Sequence, residues 1–318
     1  MLEAYPRWSE LEAETNTNLF TQCGMLAMGT DESHYIKEIT NALHKYQVPY
    51  ERLNREQLQK KYAINLPPDS SGVLDPSGGV LKADKAVQAF QKQFMKFGGD
   101  IHDAEAVTGI EPGTIVRIHT KKRTYRTTNL VLCLGSWAGS FLSRHVNIRF
   151  PFKPVKITVC YFEEKNEGQY SISRFPTFSF KRSVPYDMYY GLPADEYPGL
   201  VKIFLHYGPE IDPNRRDENP DLWAQETACN FVKNFFPEII PKPVVIETCI
   251  YTMTPDEHFV LDRHPKWKNI IIGAGFSGHG FKLAPVVGKI LGDLAMNVRN
   301  SYDLTPFKLN RFSRKSAL

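Results

Sequence analysis

A glycine-rich segment near the C-terminus has the residue types and spacing of a ligand-binding turn. Residues 270–272 are three consecutive isoleucines, which predict a strand buried on both faces. Gly273, Gly275 and Gly278 follow in a Gly-x-Gly-x-x-Gly pattern, and glycine permits close approach of the backbone to a ligand. Apolar residues then recur at helical spacing. A strand, a glycine turn and a helix N-terminus together favour an anionic or electron-rich ligand.

The same pattern could mark the first turn of an NAD-binding domain, which would make the chain an NAD-dependent dehydrogenase. Only 40 residues follow Gly278. They are too few for the rest of a doubly wound half, in which a single βαβ unit already needs about 30 or more. No strand with a terminal acidic residue follows at the offset of about 20 residues where ribose-binding carboxylates occur. The segment is therefore interpreted as the last strand-to-helix turn of a nucleotide fold, with its helix dipole facing a cofactor ring. A close-packed turn without a ligand is the alternative.

A second apolar run, residues 130–134, also ends in glycine and leads into a helix-like segment. Two such runs are what a parallel sheet with covered faces requires. Between them, residues 151–207 alternate and are rich in Tyr, Phe and Pro, which predicts an antiparallel sheet whose aromatic face walls a pocket.

Two segments upstream of these strands are also interpretable. Residues 72–79 are rich in Gly, Ser and Pro and predict a turn-rich connection. Residues 83–97 predict an amphipathic helix. Its apolar face would contain Ala86, Val87, Phe90, Phe94 and Phe97.

The composition is that of an ordinary globular protein, with 42% hydrophobic and 23% charged residues and a formal net charge of +4. Basic residues are scattered, so nothing indicates nucleic-acid binding. The apolar runs are too short to span a bilayer, and the N-terminus has no apolar signal region. The five cysteines lack a zinc-binding spacing, so we expect no metal site and a reduced, intracellular setting.

Three segments resemble a known family. They read Glu-Thr-Cys-Ile-Tyr-Thr at 247–252, Thr-Pro-Asp-Glu-His-Phe at 254–259, and Gly-Phe-Ser-Gly-His-Gly-Phe-Lys at 275–282. They look like the peroxisomal sarcosine oxidase and L-pipecolate oxidase group of the monomeric sarcosine oxidase family, and the similarity extends over nearly the whole chain. The resemblance implies an α/β (α+β), D-amino-acid-oxidase-like fold in which an FAD domain is interleaved with a substrate domain on an antiparallel sheet.

On this basis we assign residues 1–30, 76–150 and 264–318 to a partial FAD-binding domain, and residues 31–75 and 151–263 to the substrate domain. Family members begin with a strand and a Gly-x-Gly-x-x-Gly turn that holds the FAD pyrophosphate, followed by an arginine-bearing segment. Neither occurs here upstream of the C-terminal motif. We therefore expect an N-terminally truncated form that lacks the first βαβ unit. The alternative is a non-catalytic isoform or fragment unable to hold FAD unaided.

The resemblance also implies roles for individual residues. Cys249 matches the cysteine whose sulfur is joined covalently to the flavin of FAD; otherwise it is an inert core cysteine. Lys202 matches a lysine that assists the reaction with oxygen, and its alternative is a solvent-facing position on the strand. His206, four residues later on the same strand face, matches an active-site histidine.

Lys282 matches the lysine that pairs with the substrate carboxylate, and we also place it beside the cofactor. Tyr190 and Tyr251 match residues that line the substrate pocket, with ordinary aromatic packing as their alternative. Further contacts with FAD are expected from Gly135, Trp137, Gly275, Gly278, His279 and Gly280.

These matches imply FAD-dependent oxidation of a secondary amino acid of the sarcosine, L-pipecolate or L-proline type, by hydride transfer to flavin with O2 reduced to H2O2. The expected partners are the amino-acid substrate and O2, and the chain is expected to be a monomer without nucleic-acid or membrane partners. The last three residues, Ser-Ala-Leu at 316–318, resemble the Ser-Lys-Leu peroxisomal address without its basic residue. We therefore expect a peroxisomal location and an import receptor as partner, with a cytoplasmic location as the alternative.

Overall fold

The computed structural model describes residues 1–30, 33–182 and 187–312. Its helices are α1 (Ala4–Thr15), α2 (His34–Lys45), α3 (Arg55–Tyr62), α4 (Ala83–Lys96), α5 (Ala138–Val146), α6 (Leu222–Phe235) and α7 (Ala284–Ala295). Its strands are β1 (Phe20–Gln22), β2 (Met25–Thr30), β3 (Glu51–Asn54), β4 (Ser70–Asp75), β5 (Gly79–Leu81), β6 (Val107–Glu111), β7 (Val116–Thr120), β8 (Thr124–Thr127), β9 (Leu130–Leu132), β10 (Lys153–Glu164), β11 (Thr177–Lys181), β12 (Met188–Leu192), β13 (Leu200–Leu205), β14 (Ile239–Met253), β15 (Val260–Arg263) and β16 (Ile270–Ala274).

An eight-stranded sheet forms the larger layer, in the order β14-β10-β13-β12-β11-β2-β4-β3. Neighbouring strands in it are antiparallel except β11 and β2, which are parallel. The β2 segment, which the domain division places in the FAD domain, thus pairs within this sheet. The predicted antiparallel sheet between the two apolar runs is confirmed, and it recruits strands from far upstream.

One face of this sheet packs on α6 through an aromatic core. The rings of Tyr189 and Phe231 stack with centroids 3.9 Å apart, and those of Phe178 and Phe236 lie 5.2 Å apart. All four residues are buried. Burial of several such side chains, at about 2 kcal/mol each, anchors the sheet to its helix. The densest aromatic packing therefore lies on the face away from the cavity described below.

The second layer is the three-stranded sheet β15-β16-β9, in which β16 and β9 are parallel. The three isoleucines of β16 are fully buried, as predicted, and α7 packs on the sheet through Val287, Ile290 and Leu291. The prediction for β9 was only half right, because Val131 is 38% exposed on this edge strand. Parallel pairing places the carboxyl ends of β9 and β16 side by side, which is where ligands of α/β sheets bind.

Two upstream predictions were wrong in detail. Residues 72–79 are not all turn, because β4 pairs with β2 on one side and β3 on the other and the ladder overrides the local preference of Gly and Ser. Helix α4 exists, but it packs through Ala86, Ala89 and Gln93. The other members of the apolar row, Val87, Phe90, Phe94 and Phe97, are exposed.

The partner of α4 explains which face is buried. Helix α1 packs against α4, and the Gln93 amide donates a 2.8 Å hydrogen bond to the Glu14 carboxylate. Small alanine side chains allow the two helices to approach closely. Phe90 also contacts α1, with its ring centroid 5.6 Å from that of Trp8. Across the described segments, no helix is both long and apolar enough to span a bilayer.

Candidate active site

The cavity face of the eight-stranded sheet is defined by strand register. Tyr161 of β10 lies opposite Lys202 of β13, and Ile157 of the same strand lies opposite Cys249 of β14. Because side chains alternate between the two faces of a strand, residues two apart share a face. The face that looks away from α6 therefore carries five of the sequence-predicted residues, Tyr190, Lys202, His206, Cys249 and Tyr251.

The glycine-rich turn after β16 is tied to the end of β14. Ser277 is 1% exposed and has a left-handed φ of 46°. Its hydroxyl accepts a 3.1 Å hydrogen bond from the backbone N–H of Thr254, and its own N–H donates to the Thr252 carbonyl at 3.1 Å. At Gly278 the φ is +79°, and an added Cβ would lie 2.6 Å from the Tyr251 ring. Only glycine allows the turn to close over this tyrosine.

A cavity of about 870 Å³ lies between this turn and the sheet face. Its walls include Tyr190, His206, Tyr251, His279 and Lys282. The residues predicted to bind substrate are therefore brought together from three strands and from the segment before α7. A volume of this size is within the range of cofactor and substrate sites.

His206 lies at the centre of the aromatic wall. Its ring centroid is 4.9 Å from that of Tyr190 and 5.2 Å from that of Tyr251. Burial, helped by the positive charges of His279, Lys282 and Lys181, lowers the pKa of His206 to about 4. Its buried Nδ1 atom has no hydrogen-bond partner among the described residues. The imidazole is thus neutral at pH 7.

Lys282 enters the cavity from the other side. The Trp8 indole donates a 3.0 Å hydrogen bond to the Lys282 carbonyl, which fixes this backbone against α1. Surrounding protein lowers the pKa of the ammonium. No residue in the described ranges forms an ion pair with its Nζ atom. A cation without a partner inside a cavity is suited to bind an anion.

Lys202 lies in an adjoining cleft of about 450 Å³ that shares Leu192 with the large cavity. Its ammonium pairs with the Glu196 carboxylate at 2.8 Å, and its side chain is 22% exposed. The buried Tyr161 hydroxyl lies 2.8 Å from Glu196 and 2.9 Å from Glu247. Sequence reasoning missed this network. Nothing in the sequence signals it, because its members meet only through strand register and a loop.

Cys249 is exposed on the sheet face. The protein around it raises the pKa of the thiol, while the positive charges of Lys202 and Arg216 oppose that shift. The loop that carries Arg216 is held beside Cys249 by a 2.7 Å hydrogen bond from the Thr248 hydroxyl to Asp217. The pKa of Asp217 is lowered to about 2, because Arg216 and Thr248 donate hydrogen bonds to it. The thiol is therefore accessible and flanked by cations.

The remaining predicted cofactor contacts occupy different positions. Trp137 lies outside the large cavity, in a second cleft of about 450 Å³, where its indole donates a 2.8 Å hydrogen bond to Asn214. Gly275 and Gly280 pack inside the turn, where an added Cβ would lie 2.5 Å from Thr254 and from Phe276 respectively.

The backbone at Gly135 provides a direct test of fit for a flavin cofactor. Its φ is +52° and no atom lies within 4 Å of the position that a Cβ would take, so this backbone faces open space at the carboxyl end of β9. The Gly278 turn lies at the neighbouring end of β16, and Cys249 is exposed on the adjoining sheet face. The open space at Gly135 and the exposed thiol of Cys249 leave room for a flat, electron-rich ring. In the described residues, no group of three or more His, Cys, Asp or Glu side chains could hold a metal ion.

Comparisons with known proteins agree with this architecture and define the class. The model of the family "FAD dependent oxidoreductase" matches residues 1–294. Human peroxisomal sarcosine oxidase is 44% identical over 98% of this chain and 81% of its own length. Monomeric sarcosine oxidase of Bacillus sp. (strain NS-129) is 32% identical over 99% of this chain and 82% of its own length. NikD, an amino acid oxidase of nikkomycin biosynthesis, superposes with a TM-score of 0.84 at 21% identity, over 96% of this chain and 81% of its own.

The chain belongs to the sarcosine oxidase family of FAD-dependent oxidoreductases. The D-amino-acid-oxidase-like fold is thereby confirmed. The protein is an oxidoreductase that acts on CH–NH bonds, and FAD is the cofactor of its family. The role of each site residue and the domain boundaries stay predictions.

The neutral state of His206 can be measured directly. We expect its ring to titrate near pH 4, because burial and neighbouring cations disfavour the imidazolium. Since an unfolded histidine titrates near 6.5, the unfolded chain takes up a proton that folded His206 refuses, and stability falls as the pH falls from about 6.5 to about 4. NMR of ring-labelled histidine, assigned with His206→Asn, gives the midpoint. A midpoint near 6.5 contradicts the assignment of a neutral imidazole.

Proposed function

We propose that the protein oxidises a secondary amino acid of the sarcosine, L-pipecolate or L-proline type. The observation that carries this proposal is the placement of the Lys282 ammonium and the neutral His206 ring in one aromatic-walled cavity. A cation binds the carboxylate of such a substrate, and a neutral imidazole adds no positive charge beside its amine. FAD, when bound, supplies a two-electron acceptor that O2 reoxidises, with H2O2 as product.

Lys282 would orient the substrate. Its ammonium has no ion-pair partner in the described chain, so a substrate carboxylate would provide that partner through a charge-assisted hydrogen bond. Fixing the carboxylate restricts the position of the carbon that loses hydride, which is a positional contribution to the rate. The backbone bond from Trp8 keeps this lysine at the cavity wall.

His206 and the two tyrosines would favour the neutral form of the amine. Loss of hydride from the adjacent carbon requires the nitrogen lone pair, which a protonated amine lacks. Burial also raises the pKa of Tyr190 and of Tyr251, so neither phenol becomes an anion that would hold an ammonium. Aromatic walls and nearby lysine charge disfavour a cationic ligand, and the bound amine therefore loses its proton more easily.

Lys202 would serve the oxygen step. Glu196 and the Tyr161 network hold its ammonium on the cavity face. A fixed cation stabilises the negative charge that develops on O2 as it is reduced. Cys249, exposed on the same face, would hold FAD through a covalent bond to its sulfur, so that Gly135, Trp137 and the turn from Gly275 to Gly280 contribute the non-covalent contacts.

The proposal predicts peroxide formation when FAD and sarcosine, L-pipecolate or L-proline are added, measured with a peroxidase-coupled dye. Lys282→Gln should raise KM by about tenfold to a hundredfold, because a charged hydrogen bond contributes roughly 1.5–3 kcal/mol. Lys289→Gln is the matched control, since that lysine pairs with Asp293 on α7. Reduction of NAD without peroxide would support the dehydrogenase alternative instead, and an unchanged KM in Lys282→Gln removes its role.

Covalent attachment is tested separately from turnover. The full chain incubated with FAD should stay yellow after denaturation and gel filtration, and Cys249→Ser should lose this colour. Cys133→Ser is the control, because Cys133 is also exposed but lies at the end of β9. Colour that persists in Cys249→Ser moves the attachment to another residue. Colourless wild-type protein supports the alternative of a chain that is unable to hold FAD unaided.

We also propose a peroxisomal location and recognition by an import receptor, from the peroxisomal relatives and from the C-terminal Ser-Ala-Leu. That tripeptide lies outside the described residues. A fluorescent protein carrying residues 307–318 at its C-terminus should collect in peroxisomes, and deletion of the last three residues should disperse it. A diffuse signal from the intact fusion favours the cytoplasmic alternative.

A further inference from the structure

Lys181 is a second lysine of the substrate cavity to which the proposed reaction assigns no role. It is the last residue of β11 and lines the same 870 Å³ cavity as Lys282 and His206. Its side chain is exposed, and its ammonium lies 5.7 Å from the Tyr35 ring centroid. Over the described ranges, no carboxylate forms an ion pair with Lys181. The cavity therefore offers two ammonium groups to a ligand.

Strand register places Lys181 level with His206. Lys181 lies opposite Met188 of β12, and the Met188 carbonyl accepts a 2.8 Å hydrogen bond from the N–H of His206. The two side chains thus occupy one row across neighbouring strands, about 10 Å apart at the backbone, since strands are spaced by about 4.8 Å. The charge of Lys181 also contributes to the lowered pKa of His206. A ligand that touches His206 is within reach of Lys181.

Nearby carboxylates do not neutralise this lysine. Asp187 is buried and forms an ion pair with Arg182. Asp75 accepts hydrogen bonds from the N–H and hydroxyl of Ser77 and belongs to a turn. Glu257 also lines the cavity, and over the described ranges it forms no ion pair with Lys181.

We propose that Lys181 is a specificity residue that binds a second carboxylate of the substrate, so that the preferred substrates are N-substituted amino acids with two carboxylates. This inference rests on the proposed function for the first carboxylate, which Lys282 binds. The substrate would lie across His206, with one carboxylate at Lys282 and the other at Lys181.

Binding of unreactive analogues tests this without turnover. Thioethers that replace the amine have no N–H and cannot form an imine. (Methylthio)acetate carries one carboxylate, and thiodiacetate and its homologues with a longer second arm carry two. Titration calorimetry of the full chain in excess FAD should show the best diacid binding about tenfold more tightly than the monoacid, since tenfold corresponds to one modest charged contact.

Variants locate the preference. Lys181→Gln should abolish it, and Lys181→Arg should retain it. Lys45→Gln is the matched control, because Lys45 also lies over a tyrosine ring, at 5.4 Å from the centroid of Tyr46, and outside the cavity. Equal binding of monoacid and diacids by the wild type, a preference that survives Lys181→Gln, or a preference lost in Lys181→Arg each overturn the proposal.

The same titrations separate this proposal from the proposed function. Monoacid binding that weakens in Lys282→Gln supports the first carboxylate site whatever the diacids do. Equal binding of both acid classes, with that dependence on Lys282, overturns only the role of Lys181. Binding of neither class overturns both.

Discussion

The pairing of β10 with β14 is the interaction on which the site depends. These are the longest strands described, with 12 and 15 residues, and their ladder runs from Lys153 opposite Met253 to Glu164 opposite Ile239. The register is continuous from Lys153 opposite Met253 to Tyr161 opposite Val245 and shifts beyond that point. The continuous part fixes the positions of Cys249 and Tyr251 relative to the neighbouring strands. A slip by one residue would turn both side chains into the aromatic core and bring core residues to the cavity.

The turn after β16 is joined to the end of β14 by two hydrogen bonds, one at the Ser277 hydroxyl and one at its backbone N–H. Ser277 bonds to both Thr252 and Thr254, immediately after β14 reaches the cavity. These hydrogen bonds fix the position, relative to the sheet, of the segment that leads to α7. They therefore also fix the position of Lys282. The position of Lys282 is thus controlled in part by main-chain atoms.

The sequence was most informative where the pattern was local. The strand at 270–272, the turn after it and the helix that follows were predictable from three isoleucines, the glycine spacing and apolar periodicity. The buried face of α4 could not be predicted in this way, because it is set by packing against α1. The Glu14 carboxylate of α1 accepts from Gln93, which lies 79 residues later in the chain. The pair of Lys202 with Glu196 and the row shared by Lys181 and His206 depend on register between strands, which no local pattern encodes.

The contact of Gly278 with the Tyr251 ring couples the evolution of these two positions as well as their packing. A side chain at residue 278 would need the space that the ring occupies, and a smaller residue at 251 would leave a hole beneath the turn. Under selection for an intact site, a substitution at one of these positions requires a matching substitution at the other. Among descendants of this chain, substitutions at the two positions would arise as compensated pairs, a dependence that alignment of enough sequences would record as covariation.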